Sequence, residues 1–394
     1  MESSQASKGE HAEPEAAPEP RLAVGATGQV AQVLGLQRSI GNRRTAALLA
    51  GAPTRRLQRY NILGPFNVGQ AVHETLTLLA VKQAKERIEA AGVGPGELLS
   101  GFDSSEVPRE DESFGYDPID AHTSHQQFIR GVVWADDPEG LLFDTAEGTT
   151  DYSFGAVWKS DFDAGKGGDV SSMTARSHFG DLQFFHGMAS ADGEAPGTTK
   201  QNMLGWARFL VNVATGRTAT GKKLGKIPEV GHRFPDMADR TVKELFGFAK
   251  GSDVQIRQRA VGALFHMIQD SYAHGHVERD ESGEISEFHA YGAQDEHKHA
   301  EYDFLGGSWY QDLGPRLDKT EGARSAIDAC AAVLEKIDAR RDTDLIVGYL
   351  GDVVFRVSAG ARAAGPGSGL AKAPPPPWFP GWREANPLFM PLKF

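Results

Sequence analysis

Several features that would identify other protein classes are missing from this sequence of 394 residues. Its one cysteine, Cys330, excludes an intramolecular disulfide framework and favours folding in a reducing compartment. Its apolar runs are all shorter than about 18 residues, so no membrane-spanning helix is predicted. Basic residues are outnumbered, with 41 Lys and Arg against 53 Asp and Glu, and the net charge of −12 gives no general attraction to nucleic acid. We therefore expect no stable nucleic-acid partner.

Residues 1–60 are expected to form a leader that is separate from the folded domain. Residues 1–24 are rich in Ala, Pro, Ser and Glu, a composition typical of disorder. They lack the basic start and apolar core of a secretory signal peptide, so we expect synthesis in the cytoplasm without such a signal. Residues 33–50 fit two short helices broken at Gly41-Asn42, or alternatively a basic amphipathic linker.

One stretch of this leader resembles a known targeting segment. The residues Leu36-Gln37-Arg38-Ser39-Ile40-Gly41-Asn42, followed by an Ala/Leu-rich stretch, are similar to an N-terminal segment of effectors of bacterial extracellular contractile injection systems. The resemblance implies a loading or delivery function. It also implies an injection-system particle as a partner and export or injection by that route.

Residues 61–365 are predicted to form a mainly α-helical domain, because apolar residues recur there at helical spacing. Residues 144–172 are rich in Gly, Asp, Ser and Thr and predict a long surface loop. The proline- and aromatic-rich tail, residues 366–394, is expected to be extended, and no strands are predicted. The predicted helices are Gln70–Ala91, Ile119–Val133, Lys200–Ala214, Pro235–Lys250, Val254–His276, Gly322–Ala339 and Thr343–Ala361.

Two histidine–aspartate pairs indicate a metal site. His266 and Asp270 are four residues apart, as are His299 and Asp303, so each pair would share one helix face. His276 follows six residues after Asp270, and six of the 13 histidines lie between positions 266 and 299. Imidazole and carboxylate ligands without thiolate suit zinc or a similar divalent ion. The alternative for a single pair is a core histidine with a hydrogen-bonding partner.

The order of these residues resembles the zinc-dependent phospholipase C and S1/P1 nuclease superfamily. The spacing His-x3-Asp-x5-His from His266 to His276 is the central pattern of that family, and residues 299–304 are similar to its closing motif. Trp134-Ala135-Asp136 looks like the nucleases, and Ser177-His178-Phe179 looks more like the phospholipases. The resemblance covers about residues 66–304. It implies an all-α, multi-helix fold with long loops around a cluster of three zinc ions.

The resemblance also implies a role for each of eight side chains. Asp136, His178, His266 and Asp270 would hold one zinc. His276, His299 and Asp303 would hold a second. His73 and Asp270 would hold the third, with Asp270 as the bridge between ions. Asp137 and His186 are alternatives to Asp136 and His178.

The third zinc site departs from the family pattern. Family members use the amine of an N-terminal tryptophan there, whereas this chain has about 66 preceding residues and the sequence Phe66-Asn67-Val68 at that place. A mid-chain amide cannot donate as a free amine does, so His122, His125 or water are the alternative ligands. We therefore expect two to three bound zinc ions.

The implied activity is that of a phospholipase C-like effector that cleaves phospholipid head groups at a membrane surface with a zinc-activated hydroxide. Asp136 and Asp270 are the expected catalytic carboxylates, with Asp137 and Glu301 as further acid or base candidates. The alternatives are a single-strand nuclease and a non-catalytic interaction protein that keeps the helical fold. Five apolar residues near His178 could either contact an acyl-glycerol or form helix core. They are Phe179, Leu182, Phe184, Phe185 and Met188.

Overall fold

A computed structural model describes part of the chain, namely residues 72–107, 109–111, 126–141, 155–247, 249–300, 302, 305–306 and 311–372. The predicted leader, the tail beyond residue 372, His122, His125, Glu301 and Asp303 lie outside these ranges. The described part is mainly helical, which confirms the predicted fold class at that level. None of its helices is both long enough and apolar enough to span a membrane.

The elements follow one another along the described chain. The helices are α1 (Val72–Ala90), α2 (Gln126–Val132), α3 (Gly155–Lys166), α4 (Met173–Phe179), α5 (Pro196–Ala214), α6 (Val242–Leu245), α7 (Asp253–Asp270), α8 (Glu296–Ala300), α9 (Leu313–Asp318), α10 (Ala323–Asp338) and α11 (Thr343–Tyr349). Two strands between α7 and α8, β1 (Val277–Arg279) and β2 (Ile285–Phe288), form an antiparallel hairpin.

Helix α7 is the centre of the fold. It begins with a capping box in which Ser252 and Gln255 exchange hydrogen bonds between side chain and backbone. It packs against α1, α2, α5 and α10, and every residue from 259 to 270 is buried. A helix that is covered on all sides belongs to the core. The His266–Asp270 pair near its C-terminal end therefore lies inside the protein.

The crossing of α2 and α7 depends on two glycines. A Cβ atom added to Gly262 would lie 2.2 Å from Phe128 O, and one added to Gly131 would lie 2.1 Å from Arg259 O. Because glycine has no side chain, the two backbones can approach this closely. The approach brings the end of α2, and the short 3₁₀ turn Val133–Ala135 that follows it, next to His266.

Three helix predictions hold closely where the chain is described. The predictions Gln70–Ala91, Lys200–Ala214 and Gly322–Ala339 correspond to α1, α5 and α10. The prediction Ile119–Val133 corresponds to α2 from residue 126 onward, and its earlier residues lie outside the described ranges.

Other boundaries were wrong. The predicted loop 144–172 contains α3, whose Trp158 and Phe162 are buried four residues apart on one face. In the described part of the predicted helix Pro235–Lys250, which leaves out residue 248, the helical elements are a 3₁₀ turn, Pro235–Met237, and the short α6. The helix predicted to reach His276 ends at Asp270, and the one predicted to reach Ala361 changes after Tyr349 to a π-helical turn, Leu350–Val354.

The prediction of no strands was also wrong, because β1 and β2 pair with Val277 opposite Phe288. A later stretch of chain lies along this hairpin and the start of α8. We call residues 364–372 the C-terminal strap. It makes bridges from Gly365 to His289 and from Ala371 to Gln294.

Candidate metal centre

Asp270 lies at the meeting point of three histidines from different parts of the fold. Its Oδ2 atom is 2.9 Å from His266 Nε2, one turn back on α7, and 3.1 Å from His186 Nδ1 in the 3₁₀ turn Gln183–His186. Its Oδ1 atom is 3.2 Å from Nε2 of His73 on α1, whose ring stacks on His266 with centroids 4.0 Å apart. The α7 pair thus has the predicted one-face geometry, and His73 lies beside it.

A second group of ligand atoms adjoins the first. Asp136, His178 and His186 place one ligand atom each within 4.8 Å of one another, as His73, His266 and Asp270 also do. Asp136 follows the turn after α2, and His178 lies on α4. Since His186 Nδ1 lies 3.8 Å from Asp136 Oδ1 and 3.1 Å from Asp270 Oδ2, it connects the two groups.

The predicted alternatives, Asp137 and His186, differ in their surroundings. His186 joins His178 beside Asp136, so the structure brings both histidines to the same place. Asp137 is buried, and its Oδ1 accepts a hydrogen bond from the backbone N–H of Leu141 at 2.8 Å. This bond gives Asp137 a role in shaping the turn after Asp136.

A third part of the cluster contains His276 and His299. His276 Nδ1 lies 3.5 Å from Asp270 Oδ2, and its ring centroid is 5.0 Å from that of His299 on α8. Tyr291 packs edge-on against His299 with centroids 4.9 Å apart. Asp303, the remaining predicted member of this set, lies outside the described residues.

Backbone carbonyl groups fix the proton positions of three histidines. His266 Nδ1 lies 2.6 Å from Val132 O, and His178 Nδ1 lies 2.8 Å from Thr174 O. His276 Nδ1 lies 2.9 Å from His186 O. A carbonyl oxygen can only accept, so Nδ1 donates in each case. In the neutral imidazole the lone pair is then on Nε2, which is the arrangement that orients a histidine towards a metal ion.

Two glutamines, neither of them predicted, place their amide oxygen beside the Nδ1 atom of two other histidines. Gln269 Oε1 lies 2.6 Å from His73 Nδ1, while its amide nitrogen donates to Thr77 Oγ1 at 2.9 Å. Gln294 Oε1 lies 2.8 Å from His299 Nδ1. The position of Gln269 next to Asp270 was the available signal for the first, but nothing near Gln294 in the sequence marks the second.

The Asp270 carboxyl and the histidines around it shift one another's pKa. Burial raises the pKa of the Asp270 carboxyl, but His276, His266 and His73 outweigh this effect and hold its pKa well below the usual range. Burial lowers the pKa of His73, but Asp270 outweighs this and the net pKa is raised. The carboxylate form of Asp270 is therefore the one that the surrounding imidazoles stabilise.

The geometry fits a zinc-sized ion. In each of the two ligand groups, one atom from every side chain lies within 4.8 Å of the others. Ligands at the usual zinc distances of about 2.0–2.2 Å in a tetrahedron are separated by about 3.3–3.6 Å, which falls within that limit. The donor set of nitrogen and carboxylate oxygen atoms is also one that zinc accepts.

An aromatic wall and a cavity lie beside the cluster. Trp158 donates from Nε1 to Asp136 O at 2.9 Å, and Phe162 packs edge-on against His178 with centroids 5.0 Å apart. Phe179 and Tyr291 continue this wall and line a cavity of about 380 Å³. The other residues that line the cavity are Lys166, Gly292, Gln294, Asp295, Glu296 and Lys372.

The predicted apolar group divides between the wall and the core. Phe179 is partly buried and lines the cavity, and Met188 is buried with Trp158 and Phe162. Leu182, Phe184 and Phe185 are fully buried in the main core. Among the five residues, Phe179 is therefore the one positioned to contact a bound molecule.

Seven of the eight predicted ligands are described, and all seven are buried in one continuous cluster. Comparisons of the chain with protein-family models, curated proteins and solved structures found no match. The chemistry of this site must therefore be argued from its own geometry.

Proposed function

We propose that this protein is a zinc-dependent phosphodiester hydrolase of the phospholipase C type. The observation that carries the proposal is the position of Asp270, whose carboxylate lies within 3.5 Å of imidazole nitrogens from His73, His186, His266 and His276. A fully buried carboxylate among so many histidines is costly to desolvate unless a bound cation or protons compensate for the burial. A core does not require buried ionisable side chains from four separate stretches of chain, so their convergence on Asp270 supports a metal site.

The ligand groups suggest which residues would hold the ions. His73, His266 and Asp270 would hold one ion, and Asp136, His178 and His186 would hold another. His276 and His299 would contribute to a third. This division differs from the family pattern, in which Asp136, His178, His266 and Asp270 share one zinc, because His186 enters the cluster between the groups.

Zinc, when bound, lowers the pKa of a coordinated water and polarises the phosphoryl oxygens. The residues of this chain supply the remaining functions. Asp270 links the two ligand groups, and the Nδ1 hydrogen bonds hold the rings of His266, His178 and His276 in place. Asp136, whose carboxylate oxygens lie 3.8 Å from His186 and from His266, would take the proton of the attacking water.

The surroundings of the cluster favour a lipid substrate over a nucleic acid. Phe179 and Tyr291 form an apolar side to the cavity next to His299, where a glycerol or acyl group can be buried. The net charge of −12 opposes the capture of a polyanion. We therefore propose a phospholipid at a membrane surface as substrate. We further propose that the leader, residues 1–60, serves loading into an injection-system particle and delivery by it.

A side-by-side hydrolysis assay tests the proposal. The full chain, stripped by chelator and reloaded with zinc, is incubated with phosphatidylcholine vesicles and, separately, with single-stranded DNA and RNA. We expect release of phosphocholine that requires zinc and is absent from the variant Asp270→Asn. Nucleotide release with intact lipid would replace the proposal with a nuclease, and no zinc-dependent release from any substrate would favour a non-catalytic protein.

A further inference from the structure

The amide of Gln294 connects a candidate zinc ligand to a distant part of the chain. Gln294 is buried, and its Nε2 atom lies 2.8 Å from two backbone carbonyl oxygens, Gly275 O and Pro366 O. Its Oε1 atom lies 2.8 Å from His299 Nδ1. One side chain therefore contacts the turn that follows α7, the C-terminal strap and the histidine on α8.

The two carbonyl partners determine which way round the amide lies. Oxygen and nitrogen of a glutamine amide are interchangeable in shape, so their assignment must come from the hydrogen-bonding partners. Gly275 O and Pro366 O can only accept, so the NH₂ group must face them. The amide oxygen is then directed to His299 Nδ1, which must carry the proton, and the lone pair of the neutral ring is left on Nε2.

The C-terminal strap is held in place by bonds of its own. The backbone N–H of Ala290 donates to Gly365 O at 2.8 Å, and that of Asp295 donates to Leu370 O at 2.7 Å. Lys298 donates from Nζ to Ala371 O at 3.0 Å, next to His299 on α8. Because these bonds flank Gln294 on both sides in sequence, Pro366 O is fixed relative to α8. It is therefore a stable anchor for the amide.

We infer that Gln294 is a positioning residue through which the C-terminal strap sets the tautomer and orientation of His299 as a zinc ligand. The inference rests on the proposed function, since it requires that His299 binds zinc. It adds that residues 364–372 form part of the metal centre, although they supply no ligand. Hydrogen-bonding partners of this kind change metal affinity by roughly 10–100-fold when removed.

Zinc affinity of the full-length chain tests the inference. Free zinc is titrated in competition with a chromophoric chelator against wild type, Gln294→Met and the matched control Gln258→Met. Methionine keeps the length of the side chain and removes the amide. Gln258 on α7 also donates to a backbone carbonyl, Leu98 O at 2.9 Å, but away from the cluster. We expect Gln294→Met to weaken one zinc equivalent by about 10–100-fold and Gln258→Met to leave zinc affinity unchanged.

A double variant separates positioning from a general loss of structure. If Gln294 acts through His299, Gln294→Met should cause no further loss of zinc affinity in a His299→Ala background. The inference is wrong if Gln294→Met weakens zinc binding equally in the wild-type and His299→Ala backgrounds, or if Gln294→Met binds zinc as tightly as wild type. Either result would leave the proposed zinc site standing. A wild-type chain that binds no zinc would overturn the proposed function and this inference together.

A measurement on the unsubstituted ligand keeps the inference testable if Gln294→Met does not fold. Nitrogen-15 shifts of the histidine rings in the zinc-loaded full chain distinguish the two tautomers, and the signal lost in His299→Ala identifies this ring. We expect a protonated Nδ1 and a metal-bound Nε2. A protonated Nε2 would contradict the inference.

Discussion

His186 Nδ1 lies 3.1 Å from Asp270 Oδ2, although 84 residues separate the two positions along the chain. This contact connects the ligand group around α7 with the group around Asp136. It makes His186 a member of the cluster together with His178, where the sequence offered the two as alternatives.

The first prediction concerns metal content. Purified full-length protein should contain about two to three zinc equivalents, because its nitrogen and oxygen donors form adjacent groups of zinc-like geometry. Elemental analysis after dialysis against metal-free buffer measures this directly. Less than one equivalent, with no uptake during zinc titration, would contradict the metal centre.

The second prediction concerns the carboxylate that links the groups. Asp270→Asn keeps the size of the side chain and removes its negative charge, so lipid hydrolysis should be lost. Zinc affinity should fall by more than the roughly 10–100-fold that follows removal of a ligand's hydrogen-bonding partner. Asp163→Asn is the matched control, because Asp163 lies at the surface and pairs with Lys159. Circular dichroism should show equal helix content in both variants. Normal hydrolysis by Asp270→Asn would mean that the carboxylate is purely structural.

The third prediction tests whether His186 binds zinc as His178 does. His186→Gln should lose zinc affinity as His178→Gln does, because both rings lie in the group around Asp136. His232→Gln provides the control, since His232 is exposed and lies outside the cluster. If His186→Gln retains the zinc content and affinity of wild type while His178→Gln does not, His186 is a core histidine.

The fourth prediction concerns the crossing of α2 and α7. Gly262→Ala should lower the free energy of unfolding by about 1–3 kcal/mol, because the added methyl group would overlap the backbone of α2. Gly205→Ala on α5 meets no atom within 4 Å and should instead stabilise the protein by up to about 1 kcal/mol. Urea unfolding of both variants gives the comparison. Equal stabilities would show that the crossing adapts easily.

The fifth prediction concerns the leader. A chain that begins near Asn61 should retain zinc and hydrolytic activity but lose association with injection-system particles, because the motif at Leu36–Asn42 would be missing. Zinc analysis, vesicle hydrolysis and co-sedimentation with particles measure the three properties. Loss of zinc on truncation would assign the leader to the metal centre instead.

Local patterns in the sequence predict only part of this structure. Long helices such as α1 and α10 follow from apolar spacing, and the pairing of His266 with Asp270 follows from helix geometry. Helix α3 was missed because its glycines and aspartates resemble a loop, whereas Trp158 and Phe162 determine its packing. The hairpin was missed because its strands are three and four residues long, too short for a clear alternating pattern.

The parts of the site that the sequence did not predict depend on contacts between residues that are far apart along the chain. The contact of His186 with Asp270 requires the turn Gln183–His186 to pack against the end of α7, and no short-range pattern encodes that packing. The amide bridge of Gln294 likewise depends on a strap more than 70 residues later, through Pro366 O. Such tertiary contacts are set by the whole core, so single-sequence periodicity cannot predict them.

The burial of the ligands has a consequence for how metal would enter and leave. The exposed fraction of His73 is 2 %, and those of Asp136, His178, His186, His266 and Asp270 are 1 % or less. An ion held by atoms this deep would exchange slowly with solvent, because its release requires the surrounding side chains and helices to move apart. Bound zinc would then survive dilution and brief exposure to chelators. Stripping, reloading and titration of zinc would accordingly need long incubation to reach equilibrium.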